Sequence, residues 1–187
     1  MPPRDAIRRP RAHRHDPVTR FDFDPTRSRV WIEARSSLHP IHSETAGLQG
    51  WLDADVGADG RIETIVSPHA RLELAVERMS SGNPLYDREM RRRIDARRYP
   101  TISGQLTFLK PAGGEGRYLV GGEITFRGVT NHYEHEMRIT AVDDATLKFE
   151  GERTFDIRDF GMEPPRILAL RVYPHVVVRV EIIASAS

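Results

Sequence analysis

Two residue types are nearly missing from this chain. It has no cysteine, which removes any disulfide framework and any thiolate chemistry, and that absence fits every compartment. It has two lysines, Lys110 and Lys148, so 26 of its 28 basic residues are arginine, which points to a GC-rich coding sequence before any binding chemistry. No apolar run approaches the ~18–20 residues that a membrane-spanning helix needs. The amino-terminal stretch has arginine and proline but not the apolar core of ~7–15 residues that marks a secretory signal, so a cytoplasmic location is expected. With a net charge of +1, bulk charge argues neither for nor against nucleic acid. No phosphate-binding glycine loop is present either. The run Gly113-Gly114-Glu115-Gly116 is a hairpin tip and precedes no helix. No Ser–His–Asp arrangement is supported by spacing alone.

What is there is period-two alternation. The 187 residues, 39% of them hydrophobic, suit one domain with a sizeable core. Val30, Ile32 and Ala34 share a face. So do Leu48, Gly50 and Leu52, and after an Asp59-Gly60 turn, Leu72, Leu74 and Val76. The pattern resumes with Ile102, Gly104, Leu106 and Phe108, then Tyr118, Val120, Gly122, Ile124 and Phe126. Tyr133, His135, Met137 and Ile139 follow, then Leu147, Phe149, Gly151, Arg153 and Phe155, and last Val176, Val178, Val180 and Ile182. About eight strands, each with one buried face, close most economically as an all-β antiparallel barrel without exposed edges. Such a barrel either fills with side chains or holds one small ligand. Large inward residues interrupted by Gly50, Gly104, Gly122 and Gly151 fit an elongated apolar tunnel. They fit equally a packed core in which the glycines only permit bending.

One helix interrupts the strands, expected over about 84–95. Asn83 is a good N-cap, Pro84 suits the first helical position, and Tyr99-Pro100 ends the segment. Tyr86, Met90 and Ile94 form one apolar stripe, which must be buried, and the open end of the barrel is the natural partner. Arg91, Arg92, Arg93, Arg97 and Arg98 offer either an anion site at one mouth or a solvated face paired with Asp87, Glu89 and Asp95.

The ends and edges carry further expectations. Residues 1–20 hold six arginines against two aspartates and almost nothing apolar, so they read as a disordered basic tail, with the barrel domain over 21–187. Such a tail is a solvated leader or binds an anionic surface. No specific nucleic-acid partner is expected, and a transient membrane contact fits. His39 and His42, like His132 and His135, are three apart, which on a strand sends the rings to opposite faces. A metal or haem site there, with Glu44 or Glu134 as a further ligand, needs a turn or bulge. Trp31 and Trp51 have outward parity on successive strands expected to pair. Two such rings side by side form a homodimer patch, unless the amino-terminal segment folds over them. Asp156-Ile157-Arg158-Asp159-Phe160-Gly161 reads as a structural turn with locally paired charges.

Four segments, in order and over roughly 21–183, resemble the YceI-like family. They are Asp24-Pro25 followed by Ser28-Arg29-Val30; the helix leading into Arg98-Tyr99-Pro100-Thr101-Ile102; Gly122-Glu123-Ile124-Thr125-Phe126-Arg127-Gly128-Val129-Thr130; and Phe155 through Gly161. The resemblance implies a lipocalin-like antiparallel barrel closed by a helix. It also implies a non-catalytic protein that holds an isoprenoid chain, such as a quinone tail or polyprenyl phosphate, for storage or transport. No other cofactor is expected. The ligand-facing interior would be Val30, Ile32, Leu52, Leu74, Ile102, Leu106, Phe108, Tyr118, Ile124, Phe126, Tyr133, His135, Met137, Phe149, Arg153, Phe155 and Val178. His135 and Arg153 depart from the family, which places an apolar and a small polar residue there. Buried in an apolar tunnel, they must be paired, wet, or facing a polar head group. Arg153 would pair with a carboxylate at the rim and His135 make an ordinary hydrogen bond, or both would meet an anionic or oxygenated head. The alternative functions are a metal- or haem-binding barrel or small enzyme using these two residues, and a dimeric scaffold with a solid interior.

Overall fold

The computed structural model describes residues 18–64, 67–164, 166–167 and 170–187. The alternating segments form β1 (Thr19–Phe23), β2 (Arg29–Ser36), β3 (Pro40–Thr45), β4 (Gln49–Val56), β5 (Ile62–Glu63) and β6 (His69–Ala75). After a 3-10 turn (Val76–Arg78) and α1 (Pro84–Ile94) come β7 (Thr101–Pro111), β8 (Arg117–Phe126), β9 (Val129–Asp143) and β10 (Thr146–Asp156). A second 3-10 turn (Ile157–Phe160), β11 (Arg166–Ile167) and β12 (Leu170–Ala186) complete the chain. Eight strands close into an antiparallel barrel in the order β1-β4-β6-β7-β8-β9-β10-β12, with β12 returning to β1.

Closure depends on the length of β12. One edge of it pairs with β10 over eleven positions, from Thr146↔Ser185 to Asp156↔His175. The opposite edge carries β2, from Val172↔Ser36 to Glu181↔Arg29, and then β1, from Phe23↔Ala184 to Phe21↔Ala186. So β1 and β2 lie end to end on one edge. The turn between them is fixed by Asp24, whose Oδ1 accepts from the Thr26 N–H (2.8 Å), the Thr26 hydroxyl (2.7 Å) and the Arg27 N–H (3.1 Å). These bonds, the Thr26 hydroxyl first, hold the Asp24 carboxyl below its ordinary value. Fully buried Ser28 then accepts from the Ile183 N–H (3.1 Å) and locks the turn to β12.

Past this point the barrel flares. The β2–β3 hairpin pairs with β12 through β2 alone, so β3 has no ladder on its outer edge. Segment 76–82 fills the space between β3 and β6. Thr45 Oγ1 donates to Arg78 O (2.7 Å) and Ser43 Oγ donates to Ser80 O (2.7 Å).

The helix crosses this end of the barrel, as its single apolar stripe demands. Asn83 Oδ1 accepts from the Leu85 N–H at 3.0 Å, and Pro84 occupies the first turn. The helix stops at Ile94, a turn short of Tyr99-Pro100, because Asp95 takes a left-handed conformation (φ 56°) that ends the i→i−4 ladder. Both ends are tied down. At the start, buried Asp87 accepts from Ser81 N–H, Ser81 Oγ and Ser80 Oγ, each at 2.7 Å. At the end, Arg127 in the two-residue turn between β8 and β9 donates to Ile94 O (3.3 Å), Phe160 O (3.2 Å) and Gly161 O (2.7 Å). The cation thus joins the helix carboxyl end to the second 3-10 turn.

The amino-terminal boundary needs correction. Residues 1–17, most of the expected tail, lie outside the described residues. Thr19 and Arg20, however, belong to β1, where they pair with Ala54 and Asp53 of β4, and Arg20 also grips Asp53 with Nε and Nη2, both at 2.7 Å.

Two outcomes follow. Burial pushes the Asp87 carboxyl up, but the Ser81 N–H, the two hydroxyls and Arg91 pull it further down, so it ends below 3.8. Its contribution is therefore full above that value and lost as pH falls through the lower folded value. In urea titrations Asp87→Asn should be the less stable protein at neutral pH, and the gap should narrow in acid. Arg127→Met should lower the unfolding free energy by roughly 1.5–3 kcal/mol in the same assay.

Candidate functional site

The barrel interior is hollow. A cavity of about 450 Å³ with an almost wholly apolar wall runs along it. The strand β9 alone presents Tyr133, His135, Met137 and Ile139 to it, a stretch of ~20 Å at the usual rise of an antiparallel strand. Phe23, Leu52, Ile62, Phe149 and Ile182 line the end remote from the helix, with Phe23 and Phe149 ring centroids 6.0 Å apart. Tyr86, Met90 and Ile94 of α1 line the other end with Phe126, Phe160 and Met162. There Phe126 meets Phe160 edge-on at 5.5 Å.

Most residues expected inside do line this space. They are Val30, Ile32, Leu52, Leu74, Ile102, Leu106, Ile124, Phe126, Tyr133, His135, Met137, Phe149, Arg153, Phe155 and Val178. Two do not. Phe108 is corrected to the outer face: a bulge shifts the β7–β8 register between Leu106↔Gly122 and Phe108↔Gly121. That extra residue turns Leu109 inward, and Phe108 instead stacks near His132 (6.4 Å) under the Lys110 ammonium (4.7 Å). Tyr118 is buried but off the cavity wall, its hydroxyl accepting from the Ile62 N–H at 3.0 Å.

The inward glycines divide in the same way. Gly104, Gly122 and Gly151 line the cavity, and Gly50 does not. At Gly50 (φ 152°) a Cβ would stand 2.1 Å from Arg71 O, so that glycine serves a close backbone approach. At Gly151 a Cβ would lie 3.1 Å from Met137 Cε and 3.3 Å from His135 Nε2, so those side chains lean over it.

Beyond Gly151↔Met137 the β9–β10 ladder stops, and the two strands part. Arg153 enters the seam. Its Nη1 donates to the free Glu134 carbonyl, and its guanidinium lies over the Tyr133 ring (4.8 Å) and beside Phe155 (5.8 Å). Its Nε is buried without a protein partner. Among the described residues no carboxylate pairs with it, so the pairing expected at the rim is not formed. Burial, and then the Arg153 charge, push the His135 imidazole below its usual pKa. Tyr133 shifts up, through burial first and the nearby Asp159 second, whose Oδ2 is 3.5 Å from its hydroxyl.

The remaining candidates are dispersed. His132 is exposed beside Glu134 (3.5 Å) while His135 faces inward, and His42 faces outward beside Glu33 (3.6 Å) with His39 bonded to Pro40 O (2.9 Å). Among the described residues no three His, Cys, Asp or Glu side chains gather as a metal site requires. The tryptophans are not neighbours, because β2 pairs with β12 and β3 whereas β4 pairs with β1, β5 and β6. Along β12 their levels differ by six residues, ~20 Å. Each is covered by an arginine 4.3 Å away, Arg179 over Trp31 and Arg20 over Trp51. On the helix, Glu89 takes both Arg92 (2.7 Å) and Arg93 (2.8 Å), which bring its carboxyl down to about 2. Arg91 donates instead to Glu77 O and Met79 O, at 3.1 and 3.3 Å. Asp156 pairs with Arg158, and Gly161 takes φ 67°, as a structural turn requires.

An antiparallel eight-stranded barrel with an interior apolar cavity and a helix across one end defines a lipocalin-like architecture. The YceI-like domain matches residues 21–184, and the chain belongs to that family. Solved structures share the fold. Burkholderia cenocepacia BcnA aligns with a TM-score of 0.72 at 19% identity, over 88% of this chain and 100% of its own. A polyisoprenoid binding domain from Saccharophagus degradans, implicated in plant cell wall breakdown, aligns with a TM-score of 0.73 at 12% identity, over 91% and 99%. The Campylobacter jejuni YceI protein aligns with 0.62 at 13%, over 79% and 85%. No curated protein matches the chain in sequence. Among the described residues no helix is long and apolar enough to cross a membrane.

The bulge has a direct check. Leu109→Ala should lose roughly 2–5 kcal/mol of unfolding free energy, and Phe108→Ala clearly less. Equal losses in urea denaturation would contradict the outward position of Phe108.

Proposed function

We propose that the protein binds an isoprenoid or a similar long-chain lipid inside the barrel, for storage or transport and without catalysis. The single observation that carries this is the apolar, ~20 Å cavity inside the barrel, whose volume of about 450 Å³ lies in the range of small-molecule sites, ~300–1,000 Å³. A quinone-like molecule with an isoprenoid tail is included. The family and the Saccharophagus degradans polyisoprenoid binding domain support the same class of ligand. The carrier reading also fits the polar groups around the mouth, which are engaged in structural bonds: Asp87 holds segment 80–81, and Glu89 is taken by two arginines. A brief membrane-surface contact during loading belongs to the same proposal, and the exposed Arg88 and Arg97 supply basic surface for it. The homodimer expected through Trp31 and Trp51 is not part of it, because the two rings do not form one patch.

Organic extraction of the purified protein followed by mass spectrometry should yield a long-chain lipid. Val178→Trp, which fills the middle of the cavity, should fold with an unchanged circular dichroism spectrum and yield little or none. An empty extract, with no uptake of an added C20 isoprenoid by the solvent-stripped protein, would sink the reading.

A further inference from the structure

We infer that the parted seam between β9 and β10 is a carboxylate subsite, and that the lipid is a long-chain monocarboxylic acid, straight or isoprenoid, whose head group lies on the Nε–Nη2 edge of Arg153. The inference rests on the cavity-binding function proposed above and adds the chemistry of the head.

The chain itself shows what this edge does elsewhere. Arg20 grips Asp53 with Nε and Nη2, both at 2.7 Å. Arg92 grips Glu89 with the same two atoms at 2.9 and 2.7 Å, and Arg158 uses them on Asp156. In Arg153 the other nitrogen, Nη1, is committed to Glu134 O, and the buried Nε meets no protein acceptor. The rings of Tyr133 and Phe155 hold the guanidinium plane, so the fork is fixed before anything binds. A cation in an apolar wall is costly without a counter-charge, and among the described residues no carboxylate forms an ion pair with it. Asp159, the acid near this face, lies against the Tyr133 hydroxyl instead.

The charge count selects the head. One guanidinium faces the cavity here. His135 beside it adds no second charge at neutral pH, because burial and Arg153 both disfavour its protonated form. A single negative charge pairs with this one guanidinium. A carboxylate supplies that, whereas a phosphate monoester brings roughly −1.5 to −2. From the seam, the apolar wall past Met137 and Phe149 leads the chain of the acid away from the helix end.

The test compares three C16 probes on solvent-stripped protein by calorimetry: palmitate, hexadecanol and hexadecyl phosphate. The unmutated protein should bind palmitate at least about tenfold more tightly than either of the others. Arg153→Met should bring palmitate down to the hexadecanol level and leave hexadecanol unchanged, and Arg153→Lys should keep part of the preference. Should Arg153→Met fail to fold, [1-13C]palmitate on the unmutated protein decides. Its carboxyl resonance should keep the ionised shift at a pH where the acid in lipid vesicles is protonated, and normal titration would overturn the inference. Equal binding of palmitate and hexadecanol, a preference that survives Arg153→Met, or tighter binding of the phosphate would each overturn the carboxylate assignment while leaving the cavity function standing. Failure of all three probes to bind would overturn the carboxylate assignment, and uptake of the C20 isoprenoid by the same protein then decides the cavity function separately.

Discussion

Everything in this molecule depends on one strand joining three other strands of the barrel and its flare. The 17 residues of β12 pair with β10 on one edge and with β2 and then β1 on the other. If β1 did not reach Ala184–Ala186, the apolar faces of eight strands would open to water, and no cavity would exist. The turn that directs β1 and β2 onto the same edge is built from Asp24 and Ser28. These two residues are part of the first segment that marks the family in the sequence. Their contribution is architectural.

The other shared segments converge on the helix end. Arg127 reaches the carbonyls of Ile94, Phe160 and Gly161, and a Cβ on Gly128 would come within 3.0 Å of the Tyr99 ring. Residues from three separate stretches thus meet around a single guanidinium. Their joint product is a helix held across the barrel, with Met90 and Ile94 turned to the interior. The residues that give this particular chain its chemical character, His135 and Arg153, stand outside those shared segments.

The period-two pattern made the barrel, its strand number and most of the cavity wall legible. Alternation is a local signal, and inward parity follows from it directly. What escaped was whatever breaks parity or depends on distant pairing. The bulge at Thr107 exchanged Phe108 for Leu109, and two adjacent apolar residues give no hint of which one turns in. Trp31 and Trp51 were placed side by side on the assumption that consecutive strands pair, whereas β12 had taken that place beside β2. Arg20 looks like part of a charge run, and its place in β1 shows only through its bidentate partner Asp53, 33 residues later. The parting of β9 and β10 had no signature either. Gly151 marked the place without revealing that the ladder ends there.

The wall is not equally strong all the way round. Most of its circumference is backbone ladder, but between β3 and segment 76–82 it is held by the hydroxyls of Thr45 and Ser43 on two carbonyls. Such bonds contribute about 0.5–1.5 kcal/mol each, far less than a continuous ladder of them. A continuous ladder such as β10–β12 opens only with the whole fold, whereas an edge held by two side-chain bonds, as β3 is, opens at lower free energy and is where solvent would first enter.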